Sequence, residues 1–223
     1  MSGVLLICAA TDRELAAADV SGIPAASATG ADDRILSVTG VGIPLTLVHL
    51  LPLLASARPA LVVDIGIAGA YPGSGLSVGD IVVGESEMFG DLGLEIPGEE
   101  GFRPVGAMPW ADMEYRTPLS LDSSPFLEVA SRLPRFAVGK GCTVNACAGT
   151  RATGERRRRL FGADFESMEG AAAALACGRA GVRVAEVRAI SNAAADRDMR
   201  PENVAQALDR LGTFLRSWLE ARA

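Results

Sequence analysis

The strongest constraint on this chain is the unbroken apolar run at residues 4–10 (VLLICAA), closed by the polar pair Thr11 and Asp12. A continuous apolar run of strand length, rather than an alternating one, belongs to a strand covered on both faces, as in a parallel sheet under helices. Further strands are predicted at residues 34–39, 61–67, 80–84, 136–144, 163–167 and 182–190. Between them lie segments with helical patterning. The first helix starts at Thr11 or Asp12, either of which can cap it. A second covers residues 40–56, with Pro44 tolerated in its first turn and Pro52 expected to bend or end it. Others are expected at 123–133, 152–160 and Gly170–Ala180, and from Pro201 to about residue 220. Strands alternating with helices give an α/β fold with a central, largely parallel mixed sheet flanked by helices. Residues 87–121 lose all periodicity, and a stretch this long inside a compact unit is typically a pocket wall or lid.

The 223 residues are 49% hydrophobic and 22% charged, enough for one sizeable core, so residues 1–223 are read as one domain. The net charge of −6 argues against a nucleic-acid partner, which demands a basic face. The four arginines at 156–159 are the one dense basic cluster; a solvated helix end explains them more simply than an anion or partner site. Cys8, Cys142, Cys147, Cys177 and the single His49 have no metal-ligand spacing, so no metal is expected. The amino-terminal run lacks the basic start of a secretion signal, and Pro44, His49, Pro52 and Arg58 break the longest apolar stretch. A cytoplasmic protein without a membrane partner is expected.

Ligands of open α/β sheets sit beyond the carboxyl ends of the strands. Four segments bring polar groups there: residues 12–14, 66–71 (GIAGAY), 166–170 (ESMEG) and 188–192 (RAISN). Each has a plainer reading. Glu169 could serve the dipole of the helix it precedes, Arg188 could be a buried structural ion pair, and Asn192 could make an Asx turn.

Taken together, "GIAGAY…GLSVGDIVV", "ESMEGAAAA" and "EVRAISNAAADRD" resemble, in order and spacing, the purine nucleoside phosphorylase superfamily. The likeness runs from Val4 to about Leu219. It is nearest to the hydrolytic branch of methylthioadenosine/adenosylhomocysteine nucleosidases and futalosine hydrolases, and "TVNACAGT" at 143–150 favours the latter. The resemblance implies a nucleoside phosphorylase-like fold, no cofactor, and a homo-oligomer, dimer or larger. It also implies hydrolysis of the N-glycosidic bond of futalosine, releasing hypoxanthine and dehypoxanthine futalosine in menaquinone biosynthesis. A nucleosidase or phosphorylase acting on inosine or methylthioadenosine-type nucleosides is the alternative.

By the same resemblance Glu14 deprotonates the attacking water, and Arg188 and Asn192 complete the catalytic set. Asn192 stands where the adenine-specific enzymes carry aspartate. Its amide can donate to a six-oxo group and accept from a seven-position N–H, which favours hypoxanthine. Glu169 binds the ribose hydroxyls, with Met168 beneath the sugar. Ile67, Ala148, Gly149 and Thr150 complete the substrate contacts, and Cys147 lies with the last three along the purine. Phosphorylases of this fold hold phosphate with arginines, one after the first strand and one beside the third. The third-strand loop here has none, Arg13 alone follows the first, and Glu14 would repel phosphate. Arg103, Arg116, Arg197 and Arg200 are candidates for an acidic substituent on the substrate.

Overall fold

The computed structural model describes residues 3–17, 34–98, 101–105, 118–195 and 198–222. The elements follow in chain order: β1 (Leu5–Ala9), α1 (Asp12–Ala17), β2 (Arg34–Val38), α2 (Ile43–Ala57), β3 (Leu61–Ala70) and β4 (Ile81–Glu87). A small hairpin, β5 (Gly93–Glu95) and β6 (Phe102–Pro104), comes next, then β7 (Leu119–Ser120), α3 (Ser124–Leu127) and the 3-10 turn Ala130–Arg132. The chain continues through β8 (Ala137–Thr143), α4 (Arg151–Phe161), β9 (Phe165–Ser167), α5 (Gly170–Ala180), β10 (Arg183–Ala193) and α6 (Pro201–Arg222).

The main sheet runs β10-β4-β8-β9-β3-β1-β2, with β7 on β4, and β10 also pairs with β3. That extra pairing closes β3, β10, β4, β8 and β9 into a ring, and β1 and β2 extend it on one side. The β10–β3, β1–β3, β1–β2, β4–β8 and β8–β9 pairs are parallel, whereas β10–β4, β3–β9 and β4–β7 are antiparallel. The sheet is therefore mixed and largely parallel, as the buried runs imply, but it is partly closed rather than open.

Side-chain alternation along the strands builds two apolar layers. Ile7, Val63, Ile65, Val187 and Ala189 face α6, whose Leu211, Phe214, Leu215 and Trp218 are buried against them. Leu6, Cys8, Val62 and Val184 face α2 and α5. The Phe126 ring stacks on Trp218 at 4.6 Å, and the Trp218 Nε1–H donates to the Pro125 carbonyl at 2.8 Å. This seats α3 on the end of α6.

Three local expectations need correction. Of the two effects expected of Pro52, bending or ending α2, the ending does not occur: the helix runs on to Ala57. Pro52 and Val48 both lie on the exposed side of the helix, so water can take up the carbonyl that the missing N–H leaves bare. Residues 123–133 form α3 and the 3-10 turn instead of one helix. β3 and β10 are longer than the apolar runs suggest, so much of the 66–71 and 188–192 segments is strand rather than loop. In the irregular 87–121 stretch the described part holds the β5–β6 hairpin and β7. Its residues 99–100 and 106–117, Arg116 among them, and also Arg197, fall outside the described residues. No helix among the described residues is long and apolar enough to cross a membrane.

Candidate active site

A cavity of about 410 Å³ opens where the carboxyl ends of β1, β3, β9 and β10 converge. Ala10, Thr11, Arg13 and Glu14 border it from the β1–α1 turn, and Ile67, Ala68 and Gly69 from β3. Glu166, Ser167, Met168 and Glu169 enter from β9 and the turn into α5. Ser191 and Asn192 come from β10, Cys147 from the loop after β8, and Val41, Met199, Val204 and Leu208 form an apolar rim.

Glu14 is fixed by three hydrogen bonds, two with Thr11 and one with Ile67. Its own N–H donates to the Thr11 hydroxyl oxygen at 3.3 Å, and the Thr11 hydroxyl donates to Glu14 Oε2 at 2.7 Å. The T-x-x-E spacing thus ties the first turn of α1 in the manner of a capping box. From β3, the Ile67 N–H donates to Glu14 Oε1 at 3.0 Å. Gly66 is needed for this approach, because a Cβ there would lie 2.5 Å from Arg188 Nη1 and 2.8 Å from Glu14 Oε1. Glu14 and Arg188 therefore lie on either side of the space that a Gly66 side chain would fill.

Arg188 does not border the cavity. It is 1% exposed, donates through Nε to Glu186 Oε1 at 2.8 Å, and pairs through Nη2 with Asp64 Oδ2. Arg188 is thus a buried structural ion-pair member; burial works to lower its guanidinium pKa, but Asp64, Glu186, Glu169 and Glu14 together raise it. Burial pushes the Asp64 carboxyl up to about 7 even with Arg188 beside it.

Glu169 occupies the N-cap position of α5, yet its side chain makes no capping bond. Its Oε1 instead accepts from the Gly42 N–H at 2.9 Å, so the carboxylate is turned from the helix toward the cavity and the start of α2. Burial lifts its pKa to about 7 against the lowering effects of Arg188 and the Gly42 N–H. Met168, next in the same turn, lines the cavity.

Asn192 lies just past a register break between Ile190 and Asn192 in the β10–β3 pairing. The extra residue, Ser191, re-aims the strand end, as bulges beside sites do. The Ser191 hydroxyl donates to Asn192 Oδ1 at 2.9 Å, and Asn192 Nδ2 donates to the Ala193 carbonyl at 2.8 Å. One N–H and one lone pair of the amide remain for a ligand.

The loop after β8 departs from expectation. Cys147 forms cavity wall, whereas Ala148, Gly149 and Thr150 do not border it. The Thr150 hydroxyl instead caps α4 by accepting from the Thr153 N–H at 3.2 Å. The Ala148 N–H turns inward to Glu166 Oε1 at 2.8 Å. Arg157, placed by its charge run at a solvated helix end, is buried: its Nη1 meets Glu166 Oε2 at 2.7 Å and its Nη2 the Ala146 carbonyl at 2.9 Å. The Tyr71 hydroxyl donates to the same Glu166 oxygen at 3.1 Å. Sequence reasoning missed this clamp. Four successive helix residues spread over every face, so one of the four arginines must turn inward, but the run itself does not say which.

Among the arginines considered for an acidic substituent, Arg103 sits in β6 and Arg200 pairs with Asp198 at 2.8 Å; neither borders the cavity. Arg13 does, and it is the only cation among the described residues that line it.

The phosphorylase superfamily model matches residues 7–220. The chain is 39% identical over 156 residues to futalosine hydrolase of Thermus thermophilus, covering 69% of this chain and 67% of that protein. It is 35% identical over 180 residues to the futalosine hydrolase of Acidothermus cellulolyticus, covering 78% and 70%. Among solved structures it resembles futalosine hydrolase of Helicobacter pylori, with a TM-score of 0.80 at 17% identity over 98% of this chain and 97% of that one. The 5'-methylthioadenosine/S-adenosylhomocysteine nucleosidase of Streptococcus pneumoniae gives 0.77 at 21% identity over 97% and 98%. These last two likenesses are to the fold, and the family rests on the sequence matches: the chain belongs to the phosphorylase superfamily, as a relative of its futalosine hydrolases.

Proposed function

We propose that this protein hydrolyses the N-glycosidic bond of futalosine, releasing hypoxanthine. The observation that carries the hydrolytic reading is Glu14. A carboxylate locked by the Thr11 hydroxyl and the Ile67 N–H stands where a phosphorylase would need cations for phosphate, and Arg13 is the one cation among the described residues that line the cavity. The curated relatives named above supply the substrate.

In this mechanism Glu14 takes a proton from water as it attacks C1' of the ribose on the face opposite the purine. The C1'–N bond breaks with its electron pair going to the purine, through an oxocarbenium-like transition state. Glu169, ionised, accepts from the ribose hydroxyls and places negative charge near the developing cation. Met168 packs under the sugar. The free N–H and lone pair of Asn192 steady the departing six-oxo base. Asn192 is no acid, so the proton reaches the base through water.

The apolar stripe formed by Val41, just before α2, and Leu45, Val48 and Leu51 on it is exposed, Val48 by 64%. An exposed apolar face of this kind marks an association surface. A second copy of the chain seated there would reach the cavity mouth through Val41, so the active form is a homo-oligomer, dimer or larger. Sedimentation of the wild type and of Val48→Asp tests it, a monomeric wild type being the contrary result. The enzymatic test is base release from futalosine, inosine and methylthioadenosine, with and without phosphate. Futalosine turnover in phosphate-free buffer, with a free ribosyl product, is expected. A ribose-1-phosphate-type product would assign the protein to the phosphorylases.

A further inference from the structure

Beneath the cavity lies a second, fully buried carboxyl pair that the mechanism above does not use. Glu87, at the end of β4, and Glu186, on β10, are both 0% exposed. They crowd one point above the start of α5, where a Cβ on Gly170 would collide with Glu87 Oε1 and Glu186 Oε1 alike. The groups around Glu87 can be named element by element. β10 brings Glu186 and Arg188, β8 brings Cys142 and the Thr143 hydroxyl, β9 brings the Ser167 hydroxyl, and α5 presents only glycine and alanine there.

The hydrogen bonds sort the oxygens. Glu87 Oε2 accepts from the Thr143 hydroxyl at 2.9 Å and from the Met88 N–H at 3.1 Å, which marks it as the acceptor oxygen. Among the N–H and hydroxyl donors of the described residues, its Oε1 takes only a long contact, 3.4 Å, from the Ser167 hydroxyl. Glu186 Oε1 accepts from Arg188 Nε, while its Oε2 finds no N–H or hydroxyl donor among the described residues. Two ionised carboxylates so close in a dry interior repel by several kcal/mol, about 4 kcal/mol for a 4 Å separation even at an effective dielectric of 20. Arg188 cannot neutralise both, because it also serves Asp64.

We propose that Glu87 is a permanently protonated carboxyl whose O–H donates to Glu186, and that this neutral donor is a positioning residue for the active site. Glu186 then stays the anion that holds Arg188, and Arg188 stays beneath Glu14 and Glu169. Burial and Glu186 push Glu87 well above the carboxylate range; burial raises Glu186 too, but there Arg188 and a hydrogen bond from Glu87 work against it. An ionised Glu87 would add a fifth buried carboxylate around one guanidinium, after Asp64, Glu186, Glu169 and Glu14, and would drive a proton onto one of them.

The consequence for turnover rests on the nucleosidase reading, but the protonation itself does not. Infrared difference spectra of wild type and Glu87→Gln at neutral pH test it directly. Loss of a protonated-carboxyl C=O band is expected, and loss of a carboxylate band instead would overturn the proposal whatever the substrate. Glutamine also mimics the neutral donor, so Glu87→Gln should keep kcat/KM within about threefold and leave its acid limb in place. Glu87→Ala withdraws the donor, so Glu186 takes up a proton at higher pH and releases Arg188. The acid limb of kcat/KM should move to higher pH, with kcat/KM down at least tenfold at neutral pH. A Gln variant as impaired as the Ala variant, with its fold intact, would show that Glu87 acts as an anion. Should the Ala variant fail to fold, the Gln variant and its spectrum decide alone.

Discussion

Glu169 Oε1 accepts the Gly42 N–H at 2.9 Å across 127 residues of sequence, joining the turn before α5 to the start of α2. The bond favours the ionised carboxylate, yet burial outweighs it and lifts the pKa to about 7. A group needed as an anion to accept from the ribose therefore titrates near neutrality.

Opposite pH trends for activity and stability follow. kcat/KM should rise as pH increases through about 7, where Glu169 becomes ionised. Stability should do the reverse. Glu169 and Asp64 both have folded pKa values raised to about 7 from ordinary carboxylate values. Each thus contributes stability that is fully present below the unfolded pKa and is lost as pH rises through the folded one. The loss is on the order of 3 kcal/mol per group over that window. Thermal melts and pH–rate profiles between pH 4.5 and 8 check both arms, and parallel rather than opposed trends would refute the assignment.

Glu14→Gln should fold normally and lose at least about two decades in kcat with little change in KM. The amide can keep an acceptor for the Ile67 N–H, so the site stays assembled while the base is lost. Rapid-quench turnover on futalosine, beside a thermal melt, separates chemistry from folding. Near-wild-type turnover would remove Glu14 from the mechanism.

Much of this was legible in the chain. The apolar run at 4–10 reads as β1 because nothing in it needs water, and Gly170–Ala180 reads as α5 because its small residues allow close packing on both sides. The positions of Glu14, Glu169 and Asn192 followed from polar residues at strand ends, and all three do border the cavity. What escaped depends on tertiary partners. Local charge density says nothing of which arginine in 156–159 turns inward, because Arg157 is selected by Glu166, nine residues on. Pairing of β3 with β10, residues more than a hundred apart, closes the ring and lengthens both strands beyond their apolar cores.

Arg157 gives the next prediction. Its ion pair with Glu166 is buried, and the same guanidinium holds the Ala146 carbonyl beside Cys147. Arg157→Leu leaves Glu166 charged and unpaired, at a cost of about 3–5 kcal/mol in stability. The double variant with Glu166→Leu should recover a large part of that loss while KM stays high, since the loop carrying Cys147 loses its anchor either way. A double-mutant cycle in urea, with KM measured for each folded variant, tests this. Additive stability losses would show that the two groups do not act as a pair.

Asn192 gives the sharpest test. Its amide is oriented by the Ser191 hydroxyl at Oδ1 and the Ala193 carbonyl at Nδ2. With those bonds made, the side chain offers one further donor and one further acceptor, which suits a six-oxo purine with a proton at its seven position. A six-amino base would set donor against donor, at a cost of about 1–3 kcal/mol, or roughly one to two decades in rate. Wild type should therefore prefer six-oxo over six-amino substrates that carry the same ribose substituent. Asn192→Asp should shift the ratio toward the amino base, and it carries a second consequence. A carboxylate at this position faces the Ala193 carbonyl with no donor between them, so the variant should lose stability as it ionises. It should regain that stability at low pH, where its added proton can donate to Ala193. The ratio of kcat/KM for matched substrates, with melts across pH, reads both effects. An unchanged ratio in a stable variant would show that Asn192 orders the end of β10 without reading the base.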